Sequence, residues 1–261
     1  MGFLMGIDPA FAALRARLDH RHREATPAAF ALGDEAGIAT GFAELDRVLG
    51  GGFPRGTIAT LEGPPSSGRS AIAARLLAAA TRRGLGALIG VELFAPALAA
   101  AGVRLERLLI VPAAQPVVVA RAADIVLRSN AFTVVVIPTL PSGRATGSAA
   151  WTRLASLAHR AGALLVALGD EASTELRYFA SVRLATSIER VRWNGTFGHL
   201  GELAGYDVRA VVRKHKRAAP EGDALIRCEQ FENRPLPVNV RERRLALPLA
   251  STTLIRRRGI S

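Results

Sequence analysis

The chain has 261 residues, 49% of them hydrophobic, and a formal net charge of +12. That is enough for one large domain with a sizeable core plus tails. Its single cysteine, Cys228, excludes an internal disulfide, and no uncharged apolar run approaches the ~18 residues of a membrane span, so the reading is a cytoplasmic, soluble protein with no membrane partner. Residues 1–7 are apolar but lack the basic start and small-residue cleavage site of a secretion leader. The positive balance favours polyanionic partners, nucleic acid first. The only lysines are Lys214 and Lys216, however, and so arginine-rich a composition is explained as well by an arginine- and alanine-rich proteome.

In chain order, residues 8–23 predict a short helix. Asp8 caps it, Pro9 suits its first turn, and Phe11, Leu14 and Leu18 share one face. It either packs on its own domain or serves as an arm on a neighbouring subunit. Residues 24–56 are rich in turn formers, and the run LGGGFPRG (49–56) reads as a loop. Apolar strands and helices then alternate. Strands are predicted at 57–63, 86–93, 107–113, 132–138 and 163–169; helices at 68–84, 95–102, 117–129 and 147–161. Such alternation implies a mainly parallel sheet with helices on both faces. Past residue 180 the segments 181–194, 206–217 and 223–231 read as extended strands, an antiparallel extension of that sheet. The resulting division is an N-terminal helix and linker (1–34), a core (35–231) and a basic C-terminal tail (232–261). The tail carries Arg241, Arg243, Arg244, Arg256, Arg257 and Arg258, candidates for contact with a partner or with DNA. Its run LALPLASTTLI (245–255) is too apolar for a mere solubilising tail and reads as a docking segment.

One short stretch carries the chemistry. GPPSSGRS (63–70) follows a predicted strand and opens a predicted helix. In a phosphate-binding loop, glycines let the backbone curl so that several N–H groups and the helix dipole face phosphate oxygens. A lysine then reaches the terminal phosphates, and a serine or threonine ligates magnesium. Gly63, Ser66, Ser67, Gly68 and Ser70 fit that pattern, but Arg69 stands in the lysine position. A forked, planar guanidinium is not equivalent to a slim ammonium. It either grips phosphate poorly or fills the space itself.

Several blocks resemble the RecA recombinases. They are IATGFAELDRVLGGGFPRG (38–56), GPPSSGRS (63–70), ELRYFASVRL (175–184) and RKHKRAAP (213–220), in the family's order and spread over roughly residues 35–231. The resemblance implies an α/β RecA-like P-loop core. It also implies roles at particular positions. Glu92 aligns with the family's water-activating acid, although a strand-end surface glutamate explains it equally. Pro138 stands where the family has an aspartate that helps to hold magnesium, and proline offers no carboxylate. Asp170 stands where the family has its switch glutamine, and its charge repels a triphosphate unless neutralised. The family's long second DNA loop is reduced to EAST (171–174), and its first is replaced by LPSGRATGSAAW (140–151), where Arg144 is a candidate phosphate contact. Lys214 and Lys216 match lysines that reach a neighbouring subunit, which implies subunit or partner contact and self-association.

A short RecA-like chain with these changes and a basic tail resembles the ImuA family. The resemblance implies a non-catalytic adaptor of the bacterial SOS response, with no required cofactor and no metal. ATP hydrolysis is expected to be weak or absent. The expected partners are an ImuB-type polymerase homologue, an error-prone replicative-type DNA polymerase and RecA filaments, in damage-induced translesion synthesis, with DNA bound without sequence preference. Two rivals stay open: a regulator of RecA filaments with no polymerase partner, and a weak ATPase working through Arg69 and Glu92.

Overall fold

The computed structural model describes residues 37–143, 146–194, 202–217 and 222–229. Among them eight strands form one sheet. They are β1 (Ile58–Glu62), β2 (Leu85–Ile89), β3 (Leu108–Val111), β4 (Phe132–Pro138), β5 (Leu164–Gly169), β6 (Val182–Asn194), β7 (Glu202–His215) and β8 (Asp223–Glu229). The α-helices are α1 (Ala43–Val48), α2 (Arg69–Thr81), α3 (Ala95–Ala100), α4 (Pro116–Arg128), α5 (Ser148–Ala161) and α6 (Thr174–Phe179). The spatial strand order is β3-β2-β4-β5-β1-β6-β7-β8. All pairings from β3 across to β6 are parallel, and β6-β7-β8 is an antiparallel ribbon, so the expected extension is present.

The parallel half follows from its sequence. β1, β2 and β5 are buried at every residue, as strands covered on both faces must be. One apolar cluster joins α2 and α3 to the sheet through Ile72, Leu76, Leu77 and Leu98. The other joins α4 and α5 to the opposite face through Val119, Val126, Trp151 and Leu154. With so few aromatics, alanine, valine and leucine fill most of both layers, and Trp151 and Phe132 are the largest side chains in the second.

The structure shortens one predicted strand and adds two helices that the sequence reading did not place. β2 stops at Ile89, not at 93, because Gly90 takes φ +65° and turns the chain out of the sheet. Glu92 therefore lies in the loop that follows. Residues 43–48, read as turn-rich, form α1, whose Leu45 is fully buried. Asp46 on α1 accepts hydrogen bonds from the amides of Thr40 and Gly41, tying the helix to the segment before it. Residues 174–179 form α6, capped by Ser173, whose hydroxyl accepts from the Leu176 amide. The predicted helix at 8–23 and the tail from 232 lie outside the described residues.

Candidate functional site

The GPPSSGRS stretch joins the end of β1 to the start of α2, the strand–turn–helix context that the sequence implied. The backbone curls as the motif requires. Ser66 and Gly68 take φ of +65° and +92°. Gly68 has no room for a side chain, since an added Cβ would lie 2.3 Å from Val208 Cγ2 of β7. Ser67 is buried, and its hydroxyl lies 2.8 Å from that of Thr186 on β6. The Thr186 hydroxyl also donates to the Glu62 carbonyl. Ser66 and Ser70 face solvent. No side chain caps the start of α2.

Arg69 does not reach outward. Its Nη1 donates back across the loop to the Gly63 carbonyl. The same nitrogen lies 2.5 Å from Asp170 Oδ1, just beyond β5. The Gly63 amide donates to the carbonyls of Gly169 and Asp170. Three ties thus hold the loop's first glycine, its arginine and the residue after β5 together. Two positions that looked like separate departures from the family pattern, Arg69 and Asp170, are partners 101 residues apart.

Beneath the loop sits a second charged pair that the sequence reading missed. Glu62 is buried, yet it accepts two hydrogen bonds of 2.8 Å from Arg183 on β6 and one of 2.6 Å from the Thr60 hydroxyl. Burial pushes its pKa up. The bonds from Arg183 and Thr60, the Arg183 charge and the Ala172 amide outweigh that and hold it below the ordinary carboxylate value. The Glu62 carboxylate likewise raises the pKa of Arg183. The signal was available: a lone acid in TIATLEG and a lone arginine in SVRL, each inside a strand, are rarely buried unless paired.

The other candidates lie around this centre. Pro138 ends β4 beside β5, where it pairs in register with Leu168. Thr139 then packs so closely on Gly169 that a Cβ there would meet its hydroxyl at 1.9 Å. Glu92 is exposed on its loop. The segment from Asp170 to Ser173 is a compact turn: Ala172 is buried, and Glu171 pairs with Arg177 of α6. In the 140–151 segment, Ser142 donates to Glu175 of α6 and lowers the pKa of that carboxyl. Arg144 lies outside the described residues, as do Arg241, Arg243, Arg244, Arg256, Arg257 and Arg258. Lys214 and Lys216 are turned to their own chain. Lys214 donates to the carbonyls of Arg177 (2.7 Å) and Tyr178 (3.0 Å), and Lys216 to that of Phe179 (3.4 Å). They satisfy the last carbonyls of α6, where a cation is favoured. Burial, then the charges of Lys216 and Arg183, lowers the Lys214 pKa.

The arrangement is similar to known proteins. Residues 31–144 match the RecA N-terminal domain family. Protein RecA of Picosynechococcus is 29% identical over 221 residues, covering 71% of this chain and 62% of its own length. Protein RecA of Chloroflexus aggregans is 40% identical over 110 residues, covering 40% of this chain and 30% of its own. This chain thus spans less than two thirds of either relative. The crystal structure of the RadB recombinase superposes with a TM-score of 0.56 at 18% identity, covering 73% of this chain and 95% of that one, a likeness of fold. The sequence matches are a likeness to RecA proteins over part of the chain, and the structural match is a likeness of fold alone. No helix among the described residues is long and apolar enough to cross a membrane.

Proposed function

We propose that this chain is a non-catalytic RecA-like adaptor that docks on an ImuB-type polymerase homologue during damage-induced translesion synthesis in bacteria. The observation that supports this reading is the closure of the loop by Arg69 and Asp170. In the RecA recombinases the corresponding loop holds a magnesium–triphosphate. The residues here do not fit that group. The Arg69 guanidinium is engaged by the Gly63 carbonyl and by Asp170. β4 ends in Pro138, which brings no carboxylate. Glu62, at the end of β1, is held by Arg183. An anion entering the loop would have to displace one carboxylate and face its negative charge. A scaffold with this loop closed still presents its surfaces to partners.

Two measurements test the proposal. Full-length chain with magnesium and ATP is expected to show no turnover above a buffer blank; chelator-sensitive hydrolysis abolished by Glu92→Gln would favour the ATPase reading. Capture of the tagged chain from DNA-damaged cells, read by mass spectrometry, is expected to recover polymerase partners. Recovery of RecA alone would favour the filament regulator.

A further inference from the structure

The end of the parallel sheet away from the phosphate loop carries a row of cations. The chain enters β1 through Arg55, β2 through Arg82 and Arg83, β3 through Arg104 and β5 through Arg160. β7 runs antiparallel to β6, so its last residue, His215, lies at the same end, two residues before Arg217. Short contacts join these entries. The Arg104 amide donates to the Thr81 hydroxyl at the end of α2, next to Arg82 and Arg83. A Cβ on Gly56 would lie 3.3 Å from His159 Cα, which seats the Arg55 loop on the end of α5, where Arg160 lies. The Leu165 amide donates to the Thr57 carbonyl, the Ser181 amide to that of Ile58, and the Lys216 amide to that of Ser181, so the row continues from β5 through β1 and β6 to β7. Arg55 is half-buried and the other five arginines are exposed. Among the described residues none of the six forms an ion pair. The opposite end of the sheet carries acids: Glu62, Glu92, Asp170 and Glu171.

We propose that this edge binds the phosphate backbone of nucleic acid without reading its sequence. From β3 to β7 the strand order crosses six neighbouring pairs, about 29 Å at the ~4.8 Å spacing of paired strands. A line of charge that long matches a backbone with one phosphate every ~3.4 Å of each strand, whereas a small anion needs only one or two of its members. All six cations are arginines, whose forked guanidinium takes phosphate oxygens two at a time. An arginine-rich composition explains their number but not their gathering at one end. Helix ends explain only part of it. A C-terminus favours cations, which accounts for Arg82 and Arg83 after α2 and Arg160 in the last turn of α5. Each terminus carries only about half a charge, however, and Arg55, Arg104 and Arg217 belong to no α-helix. Nearby acids are engaged: Asp124 is paired with Arg128 and Arg153, and Asp223 with Arg209. Glu106 stands between Arg104 and Arg107 in the chain.

The test is fluorescence anisotropy of a labelled oligonucleotide of about 20 residues, single-stranded and duplex, titrated with the full-length chain over a range of salt concentrations. The edge variant Arg82→Ala/Arg83→Ala/Arg160→Ala is compared with Arg47→Ala/Arg121→Ala/Arg190→Ala, which removes the same charge from exposed positions elsewhere. A third variant, Arg82→Lys/Arg83→Lys/Arg160→Lys, keeps the charge at the edge. Each lost phosphate contact lowers the log–log salt slope by about 0.7 on a single strand and 0.9 on a duplex. The edge variant is therefore expected to show a slope shallower by about 2 to 3 and an affinity at least about tenfold weaker near 0.1 M salt. The variant altered elsewhere should change far less, and the lysine variant should recover most of the loss. Equal losses in the two alanine variants would overturn the proposal, since net charge alone would then set the affinity. An unchanged slope in the edge variant, or no binding of either oligonucleotide, would overturn it too. Displacement by polyglutamate as readily as by unlabelled oligonucleotide would give the edge to an acidic protein segment instead. The phosphate loop lies at the other end of the sheet, so its closure has no bearing on the outcome.

Discussion

The two halves of the sheet bury their side chains differently. In the parallel half, β1, β2 and β5 are buried throughout and helices cover both faces. In the antiparallel half, β8 alternates buried and exposed at every residue, and β6 is exposed from Ser187 to Val191. The candidate loop lies where the halves meet, rooted on β1 and braced by Thr186 of β6 and Val208 of β7. Stability should therefore reside in the parallel half rather than in the ribbon.

The largest expected effect is in the parallel half. Trp151→Ala removes the largest fully buried side chain and should cost about 3–5 kcal/mol. Ile188→Ala on the ribbon should cost less than about 1 kcal/mol by chemical denaturation. A ribbon substitution as costly as the Trp151 one would break the contrast.

The meeting line comes next. Glu62→Ala leaves Arg183 without its partner and should cost about 3 kcal/mol, while Glu62→Met with Arg183→Met should recover most of the loss. The sign with pH follows from the lowered pKa. The stability that Glu62 contributes is present above its ordinary value of 4.5 and is lost as pH falls through the lower folded value. The double variant should show a flatter acid limb.

Gly68→Ala tests the contact between loop and ribbon. The new Cβ would collide with Val208, and its φ of +92° is unfavourable for alanine, so a loss of about 2 kcal/mol is expected. Val208→Ala in the same chain should relieve the collision but not the backbone strain.

Much of the parallel half was legible because buried strands are short apolar runs bounded by breakers. The reading of 132–138 coincides with β4. Hydrophobicity alone misplaced the end of β2, because VEL continues the apolar run after Gly90, while the left-handed turn at that glycine follows from its surroundings. The six-residue helices α1 and α6 are too short for a period to declare itself. The loop was found by spacing, but its closure was not. Arg69 and Asp170 are far apart in sequence, and only the parallel pairing of β1 with β5 brings them together. Lys214 and Lys216 were noted as the only lysines, but their place at the end of α6 depends on a helix that the pattern did not reveal.

The smallest expected change in stability bears most closely on function. Asp170→Asn alters a pair whose carboxylate is exposed and should shift stability by no more than about 0.5 kcal/mol. It should nevertheless free Arg69 and remove a like charge, raising the affinity for tripolyphosphate about tenfold, or ~1.4 kcal/mol. No gain in affinity would show that the pair does not close the loop.

The central claim is that the chain's own side chains occupy the phosphate loop. Calorimetric titration of the full-length wild-type chain with ATP and magnesium tests it most directly. No saturable heat up to millimolar nucleotide is the predicted result; stoichiometric binding at micromolar concentration, lost on adding chelator, would contradict it.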